Sequence, residues 1–346
     1  MTTVAITGSS GYLGTRLVQA LCSSPGIDRV LGFDAVEPRY THERFVPDRF
    51  DIRDPALAAR LKGVDVVVHL AFVMDPIKDE SRMRSINVDG SHNVLRAAGA
   101  AGVRKIVYTS SAVVYGAHPD NPIPLTESAP LRANLDLSYA AHKLEVEYVI
   151  KEFRDEFPDR VVTVFRPAIV LGPHVDNAWS HVLELPLLLG VKGYSPPLQF
   201  VHEDDVAAAL EWAVFNDADG PFNLSAEGCL ELEHILDLVS RKRVELPEPA
   251  AFLVAARMWA MGLSEAPAGM LHYLMHPWVV SSDELAARGF SAQRSNLDAL
   301  TAALANSGSH IRIGGRRVHR SSLWAAGGLG VAGVAAVAWG RRRRAA

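Results

Sequence analysis

Apolar residues cluster in short runs bounded by turn residues at Thr3–Ile6, Arg29–Phe33, Val64–Leu70, Lys105–Thr109 and Val161–Phe165, and each run predicts a strand. Between them, apolar positions return with helical spacing over Tyr12–Leu21, Pro55–Leu61, Arg82–Ala101 and Ser138–Phe157. Strands that alternate with helices predict an α/β architecture, a doubly wound parallel sheet of Rossmann type, over residues 1–172. Beyond about Gly172 the pattern loosens into Val182–Leu189, Val206–Phe215, Leu230–Val239 and the Met- and Trp-rich Phe252–Leu263. These segments predict a smaller substrate-binding lobe over residues 173–305, interleaved with the sheet. Residues 306–346 read as a linker, Asn306–Gly315, followed by an apolar tail, Leu323–Trp339, with arginines on both sides.

The first strand runs directly into Thr7-Gly8-Ser9-Ser10-Gly11-Tyr12-Leu13-Gly14, and a helix starts within that turn. A glycine-rich turn between strand and helix lets the backbone approach a pyrophosphate, with the helix N-terminus presenting free N–H groups to it. The context gives the match its weight, because glycine-rich stretches alone are common. Asp34 closes the second strand, where a carboxylate accepts hydrogen bonds from adenosine ribose hydroxyls and repels a 2′-phosphate, which favours NAD over NADP. Arg39 nearby is the one feature on the NADP side. Asp51 and Ile52 are placed to meet the adenine edge, with a helix cap as the alternative role for Asp51.

The fourth strand ends in Thr109-Ser110-Ser111, and the helix after it opens with Tyr139-Ala140-Ala141-His142-Lys143. A spacing of four puts Tyr139 and Lys143 on one helix face. A phenol titrates near ~10 in water, and a neighbouring ammonium and a positive nicotinamide ring both favour the phenolate. The pair is therefore expected to move a proton at a carbinol oxygen, with Ser111 hydrogen-bonding that oxygen and Lys143 reaching the nicotinamide ribose.

Composition narrows the reading without redirecting it. With 346 residues, 49% apolar and a formal charge of −4, the chain can bury a large core and has no broad basic field for nucleic acid. Two cysteines, Cys22 and Cys229, form neither a disulfide framework nor a metal spacing, so both are expected as reduced core residues and no metal is implied. The N-terminal apolar run lacks the length and basic lead of a signal peptide, which predicts a catalytic part in the cytoplasm.

In these motifs the chain resembles the extended short-chain dehydrogenases/reductases, the group that holds nucleotide-sugar epimerases, dehydratases and 3β-hydroxysteroid dehydrogenases. The resemblance runs from Val4 to about Phe290. Besides the turn, Asp51-Ile52-Arg53 and the Tyr139/Lys143 pair, its markers are His69-Leu70-Ala71, Asn87-Val88-Asp89-Gly90, Ser110-Ser111-Ala112-Val113-Val114-Tyr115-Gly116, Arg166-Pro167 and Phe200-Val201-His202-Glu203-Asp204-Asp205-Val206. It implies Ser111, Tyr139 and Lys143 as catalytic residues. It implies cofactor contacts at Gly8, Ser10, Gly11, Tyr12, Leu13, Gly14, Asp34, Asp51, Ile52, Leu70, Ala71, Asn87 and Pro167, besides Tyr139 and Lys143. His202 is expected to be structural.

Departures from the family pattern bear on the substrate. Ala112 and Val113 stand where the family's 4,6-dehydratases carry an acid pair, which argues against dehydration of that type. Ile169 and Leu198 stand where nucleotide-sugar enzymes carry an asparagine and an arginine on the diphosphate. With Pro186, Leu187–Leu189, Pro196, Pro197 and Phe252–Leu263, they suggest an apolar pocket. The leading expectation is therefore NAD-dependent interconversion of a secondary alcohol and a ketone on a lipophilic or steroid-like molecule. A nucleotide-sugar 4-epimerase with tightly bound NAD is the first alternative, and a non-catalytic dinucleotide sensor the second. The tail has Trp324 and Trp339 at its ends and Gly328, Ala332, Ala336 and Gly340 spaced by four, which raises attachment to the cytoplasmic face of a membrane. A homodimer is left open by the helix pattern.

Overall fold

A computed structural model describes residues 2–319, apart from 39, 75, 76, 78, 185, 186, 240, 241, 265, 308, 309, 314 and 315. The first half of the chain runs β1 (Thr2–Thr7), α1 (Tyr12–Ser23), β2 (Ile27–Asp34), β3 (Phe45–Arg49), α2 (Leu57–Arg60), β4 (Val66–His69), α3 (Glu80–Arg84), a π-helical turn at Ser85–Asp89, α4 (Gly90–Ala101), β5 (Lys105–Thr109), α5 (Ser138–Glu156) and β6 (Val161–Pro167). The second half adds β7 (Ile169–Leu171), α6 (Ala178–Glu184), β8 (Leu187–Val191), β9 (Phe200–His202), α7 (Glu203–Phe215), β10 (Gly220–Leu224), α8 (Leu232–Val239), β11 (Lys242–Leu246), α9 (Glu248–Ala260), a 3-10 turn at Ala268–Leu274, α10 (Asp283–Ala287), α11 (Asn296–Ser307), β12 (His310–Ile313) and β13 (Arg316–His319).

Seven strands form one parallel sheet in the order β10-β6-β5-β4-β1-β2-β3. The expected doubly wound sheet is thus present, with two edge strands more than the apolar runs predicted. β3 was hidden because only Phe45 of Phe-Val-Pro-Asp-Arg is buried, and Pro47 is tolerated at an edge. β10 begins Gly-Pro and reads as a turn, yet it pairs with β6 and returns the second half of the chain to the sheet.

The strands are buried on both faces because helices cover both. Val4 and Ile6 of β1 point into a core with Leu17, Val18 and Leu21 of α1 and Val206, Leu210 and Ala213 of α7. Ala5 points the other way, into a core with Val94 and Leu95 of α4 and Val146, Ile150 and Phe153 of α5. The order of strands reverses between β1 and β4, and in such sheets ligands bind beyond the strand ends at that crevice. His69 ties the crevice together: its Nδ1 meets Thr7 Oγ1 at 2.6 Å and its Nε2 meets Ser91 Oγ at 2.8 Å. Burial holds this imidazole down to about 3, so it stays neutral and serves as a cross-brace.

Two glycines set how closely the turn can approach its neighbours. Gly8 has φ +76°, and a Cβ there would lie 2.6 Å from the Ala71 nitrogen; a Cβ at Gly14 would lie 2.1 Å from the Gly8 carbonyl oxygen.

Other expectations are revised. The helix expected over Arg82–Ala101 is interrupted by the π turn, and Pro55–Leu61 is helical only over Leu57–Arg60. The expected linker Asn306–Gly315 overlaps the end of α11 and the β12–β13 hairpin. Cys22 is buried and Cys229 half-buried, and burial pushes both thiols up, as inert core cysteines require. Among the described residues no helix is long and apolar enough to cross a membrane. The tail Leu323–Trp339 lies outside the described residues.

Because the Gly14 contact is with backbone that cannot move aside, Gly14→Ala is expected to cost about 1–3 kcal/mol. A lower melting temperature in calorimetry checks this; an unchanged one would contradict the close-packed turn.

Candidate active site

A cavity of about 550 Å³ opens at the crevice between β1 and β4 and runs from the end of β2 to the start of α5. Gly8, Ser10, Gly11, Tyr12, Leu13 and Gly14 line it from the turn, Asp34, Asp51 and Ile52 from one end, and Leu70 and Ala71 from the end of β4. Ser111, Tyr139, Lys143 and Pro167 line the other end. Every residue that the motifs nominated, Asn87 excepted, therefore faces one space.

Asn87 lies behind the wall. It is fully buried in the π turn, its Oδ1 accepts from Val73 N at 2.7 Å and its Nδ2 donates to Val73 O at 2.9 Å. The extra residue of a π turn re-aims a side chain, and here it holds the loop whose Phe72, Val73 and Met74 face the cavity.

At the dinucleotide end, Asp34 Oδ2 accepts from the Ser10 amide at 2.8 Å and Oδ1 from the Val36 amide at 3.2 Å. The carboxylate is thereby fixed at the turn. Asp51 is drawn to Arg53, 2.6 Å from Nη2, and this hydrogen bond holds its carboxyl low. Arg53, a family marker in the sequence to which no cofactor contact was assigned, itself faces the cavity; Arg39 lies outside the described residues. The cavity along Gly8, Gly11 and Gly14, the amides at the start of α1 and the carboxylate at the end of β2 together fit a dinucleotide.

At the other end, Tyr139 is the second residue of α5 and Lys143 lies one turn further on. Lys143 is buried; its Nζ donates to Thr109 O at 2.7 Å and Tyr108 Oη at 3.3 Å, and sits 3.6 Å from the centre of the Phe72 ring. Desolvation lowers this ammonium to about 7, with the Glu147 carboxylate pulling in the opposite direction. Tyr139 is pushed up to about 12 by burial, and a hydrogen bond with Ser111 lowers it in part. The expected lowering of the phenol by Lys143 is not what this geometry gives, since Nζ lies 5.9 Å from the Tyr139 ring centre and is itself only partly charged near neutrality. Phe72, which packs edge-on against Tyr139 at 5.8 Å, was not anticipated.

A buried polar network fixes this end. Ser110 Oγ donates to Glu147 Oε1 at 2.5 Å, Arg166 Nε donates to the same oxygen at 2.9 Å, and Arg166 Nη1 donates to Tyr115 Oη at 2.8 Å. Tyr115 in turn donates to Asn223 Oδ1 at 2.8 Å. These bonds join the ends of β5, β6 and β10 to α5. His202 caps α7, its Nδ1 accepting from the Asp204 amide at 3.1 Å, which is a structural role.

Beyond Tyr139 the walls are apolar and aromatic: Val113, Ile169, Trp179, Met270, Tyr273 and Trp278. Trp179 stacks on Trp278 at 5.9 Å, Trp278 meets Tyr273 edge-on at 4.9 Å, and Tyr273 Oη donates to Val113 O at 3.1 Å. Among the described residues that line the cavity, the cations Arg53, Arg82 and Lys143 all come from the first half of the chain, and the two carboxylates, Asp34 and Asp51, sit at the dinucleotide end. Leu198 lines a smaller adjoining pocket with Trp179, Leu188 and Leu189. Phe252–Leu263, expected in the apolar pocket, does not line the cavity: it forms α9 and the turn after it, on the outside of the lobe.

Comparison with known proteins agrees with this geometry. The profile of the NAD dependent epimerase/dehydratase family matches residues 4–224. An uncharacterized protein of Mycobacterium tuberculosis (strain ATCC 25618 / H37Rv) is 32% identical over 255 residues, which is 70% of this chain and 67% of that protein. The N-acetyl-alpha-D-glucosaminyl-diphospho-ditrans,octacis-undecaprenol 4-epimerase of Escherichia coli O157:H7 is 32% identical over 172 residues, 49% of each chain. Among solved structures, the UDP-glucuronic acid 4-epimerase of Bacillus cereus in complex with NAD superposes with a TM-score of 0.69 at 18% identity, covering 89% of this chain and 99% of that one.

The desolvated lysine has a consequence for stability. The unfolded chain holds the Lys143 proton up to about 10.5 and the folded chain only up to about 7, so folding releases a proton between these values. Stability of the cofactor-free protein should therefore rise with pH across that window, and the full cost is present below pH 7. Lys143→Met is expected to raise the melting temperature at pH 6 and to flatten this rise; a variant less stable than the parent at pH 6 contradicts it.

Proposed function

This chain belongs to the NAD-dependent epimerase/dehydratase family, and we propose that it moves a hydride reversibly between NAD and a secondary carbinol, with Tyr139 carrying the proton. The observation behind this reading is that Ser111, Tyr139 and Lys143 line one end of the cavity together, opposite Asp34. Bound NAD supplies the hydride acceptor and donor. Gly8 to Gly14 and Asp34 would hold its diphosphate and ribose, and Leu70, Ala71 and Pro167, which line the same cavity, would flank it. Ser111 Oγ holds the substrate oxygen, Tyr139 Oη takes the hydroxyl proton on oxidation and returns it on reduction, and Lys143 orients the ribose. The aromatic walls and Phe72 exclude water from the ketone. A complete Ser/Tyr/Lys set in a family of enzymes leaves little support for a sensor without catalysis.

The ketone's fate separates two substrate readings. We favour 4-epimerisation of a sugar, in which the ketone turns over in the site and is reduced on its other face. This reverses the order of preference drawn from the sequence. Its support is the likeness to the E. coli enzyme, named for a lipid-linked diphospho-sugar, and to the B. cereus UDP-glucuronic acid 4-epimerase. The second reading is net oxidation or reduction of a lipophilic alcohol. It is favoured by Ile169 and Leu198 in place of diphosphate ligands and by the main cavity, whose described lining takes no cation from the lobe; the lobe's Arg243 lines the smaller adjoining pocket. Dehydration has no support, since Ala112 and Val113 carry no acid and no carboxylate among the described lining residues stands near Tyr139.

The test is to purify the chain, assay its NAD content, and incubate it with nucleotide-linked and lipid-linked sugars. Epimerisation predicts retained NAD, a C4-inverted product and no net change in absorbance at the NADH band. Stoichiometric NADH formation that depends on added NAD and a lipophilic alcohol would replace it with the second reading. In either case Tyr139→Phe should reduce turnover by about 10²–10⁴-fold. Undiminished turnover in that variant would refute the assignment of Tyr139.

A further inference from the structure

One segment singled out by its composition has no part in the cavity. From Ala250 through Ser264 the chain holds a single charged residue, Arg257, and no carboxylate. Ala251 and Ala255 of α9 are buried, packed with Val191, Leu271 and Met275. The opposite side faces outward: Leu253 is 52% exposed, Met261 64% and Leu263 49%. A helix that is apolar all the way round belongs in an interior, and a surface helix normally turns a charged face outward. Several large apolar side chains exposed together on one short segment mark a contact surface.

We infer that the outer face of α9 and the turn after it rests on the surface of an anionic lipid bilayer. Leu253, Met261 and Leu263 would enter the acyl boundary and Arg257 would meet the headgroups. Two observations select lipid over a protein partner. The face carries a cation and no carboxylate, which suits a uniformly anionic plane. The same chain carries a second apolar segment, Leu323–Trp339, flanked by Arg316, Arg317 and Arg320 before it and Arg341–Arg344 after it. On α9 those arginines would find one carboxylate, Glu248 in its first turn, which accepts from Tyr194 Oη at 3.4 Å, and none between Ala250 and Ser264, whereas both segments suit the same membrane surface. One apolar attachment gives weak, reversible binding and two make it stable. The location also has a use. α9 packs on the turn at Ala268–Leu274, with the Phe252 ring 5.1 Å from that of His272, and the same turn lends Met270 and Tyr273 to the apolar end of the cavity. A bilayer held there lies beside the part of the cavity that would take the lipophilic portion of a substrate.

The test uses the full chain in co-sedimentation with vesicles of phosphatidylcholine alone and of phosphatidylcholine with phosphatidylglycerol. The expected result is binding to the anionic vesicles that weakens with salt, and at least a tenfold weaker partition for Leu253→Asp with Met261→Asp. NAD affinity should be unchanged in that variant and reports that it has folded. If it fails to fold, Leu253→Ser with Met261→Gln takes its place under the same expectation. Peroxide oxidation of Met261 gives a second readout, fast without vesicles and slowed by anionic ones. The inference is overturned by no binding of the parent to anionic vesicles, by equal binding of parent and variant, or by conversion of a dimer to a monomer in the variant. Slow oxidation of Met261 without vesicles also overturns it, because the face is then covered by the chain itself.

Discussion

A lysine taken out of water organises this molecule. Lys143 sits between β5 and the loop after β4, with its ammonium against the Thr109 carbonyl, the Tyr108 hydroxyl and the face of Phe72. A carbonyl, a phenol and an aromatic face offset the desolvation of a cation only in part, which is why the group sits near 7. It stays buried because the rest of α5 is locked. Val146, Ile150 and Phe153 pack into the core beneath the sheet, and Glu147, one turn beyond the lysine, is clamped by Arg166 and Ser110. The clamp also anchors the strand end that presents Ser111. One ion pair thus fixes both the serine and the helix that carries the tyrosine and the lysine.

The electrostatics of the cavity are divided accordingly. Its dinucleotide end has fixed dipoles and carboxylates: the amides at the start of α1, Asp34 on the Ser10 amide and Asp51 on Arg53. Its far end has hydroxyls, aromatic rings and one half-charged lysine. A phenol near 12 is poorly poised for proton transfer at neutral pH, whereas an ammonium near 7 can give up or take a proton there. Such a site depends on what it binds to set its protonation, so the Ser111–Tyr139–Lys143 arrangement supplies geometry and its occupant completes the charge balance.

The parts of this account that could be read in the sequence are those where local pattern and tertiary role coincide. The buried strands, the turn at Gly8–Gly14 and the Tyr139/Lys143 spacing are set by periodicity, backbone sterics and the helical repeat, all of which are local. Edge strand β3 could not be read because only Phe45 is buried, and β10 because its Gly-Pro start reads as a turn although four of its five residues are buried. Phe72, Trp179 and Trp278 also escaped notice, since each acquires its role from residues distant in sequence. Asn87 was read as facing the site and instead braces the loop that does, because a π turn rotates it away from a regular helical position. Phe252–Leu263 was assigned to the pocket on composition alone; apolar composition reports that a surface is covered and does not say by what.

The most direct test of the central claim is the titration of Lys143 itself, followed by NMR in cofactor-free protein with lysines labelled at Cε and the signal assigned by Lys143→Met. The account predicts that the Lys143 signal titrates near pH 7, apart from the surface lysines and from the buried Lys105, which desolvation also lowers. A Lys143 signal that titrates with the surface lysines above pH 10 would contradict it.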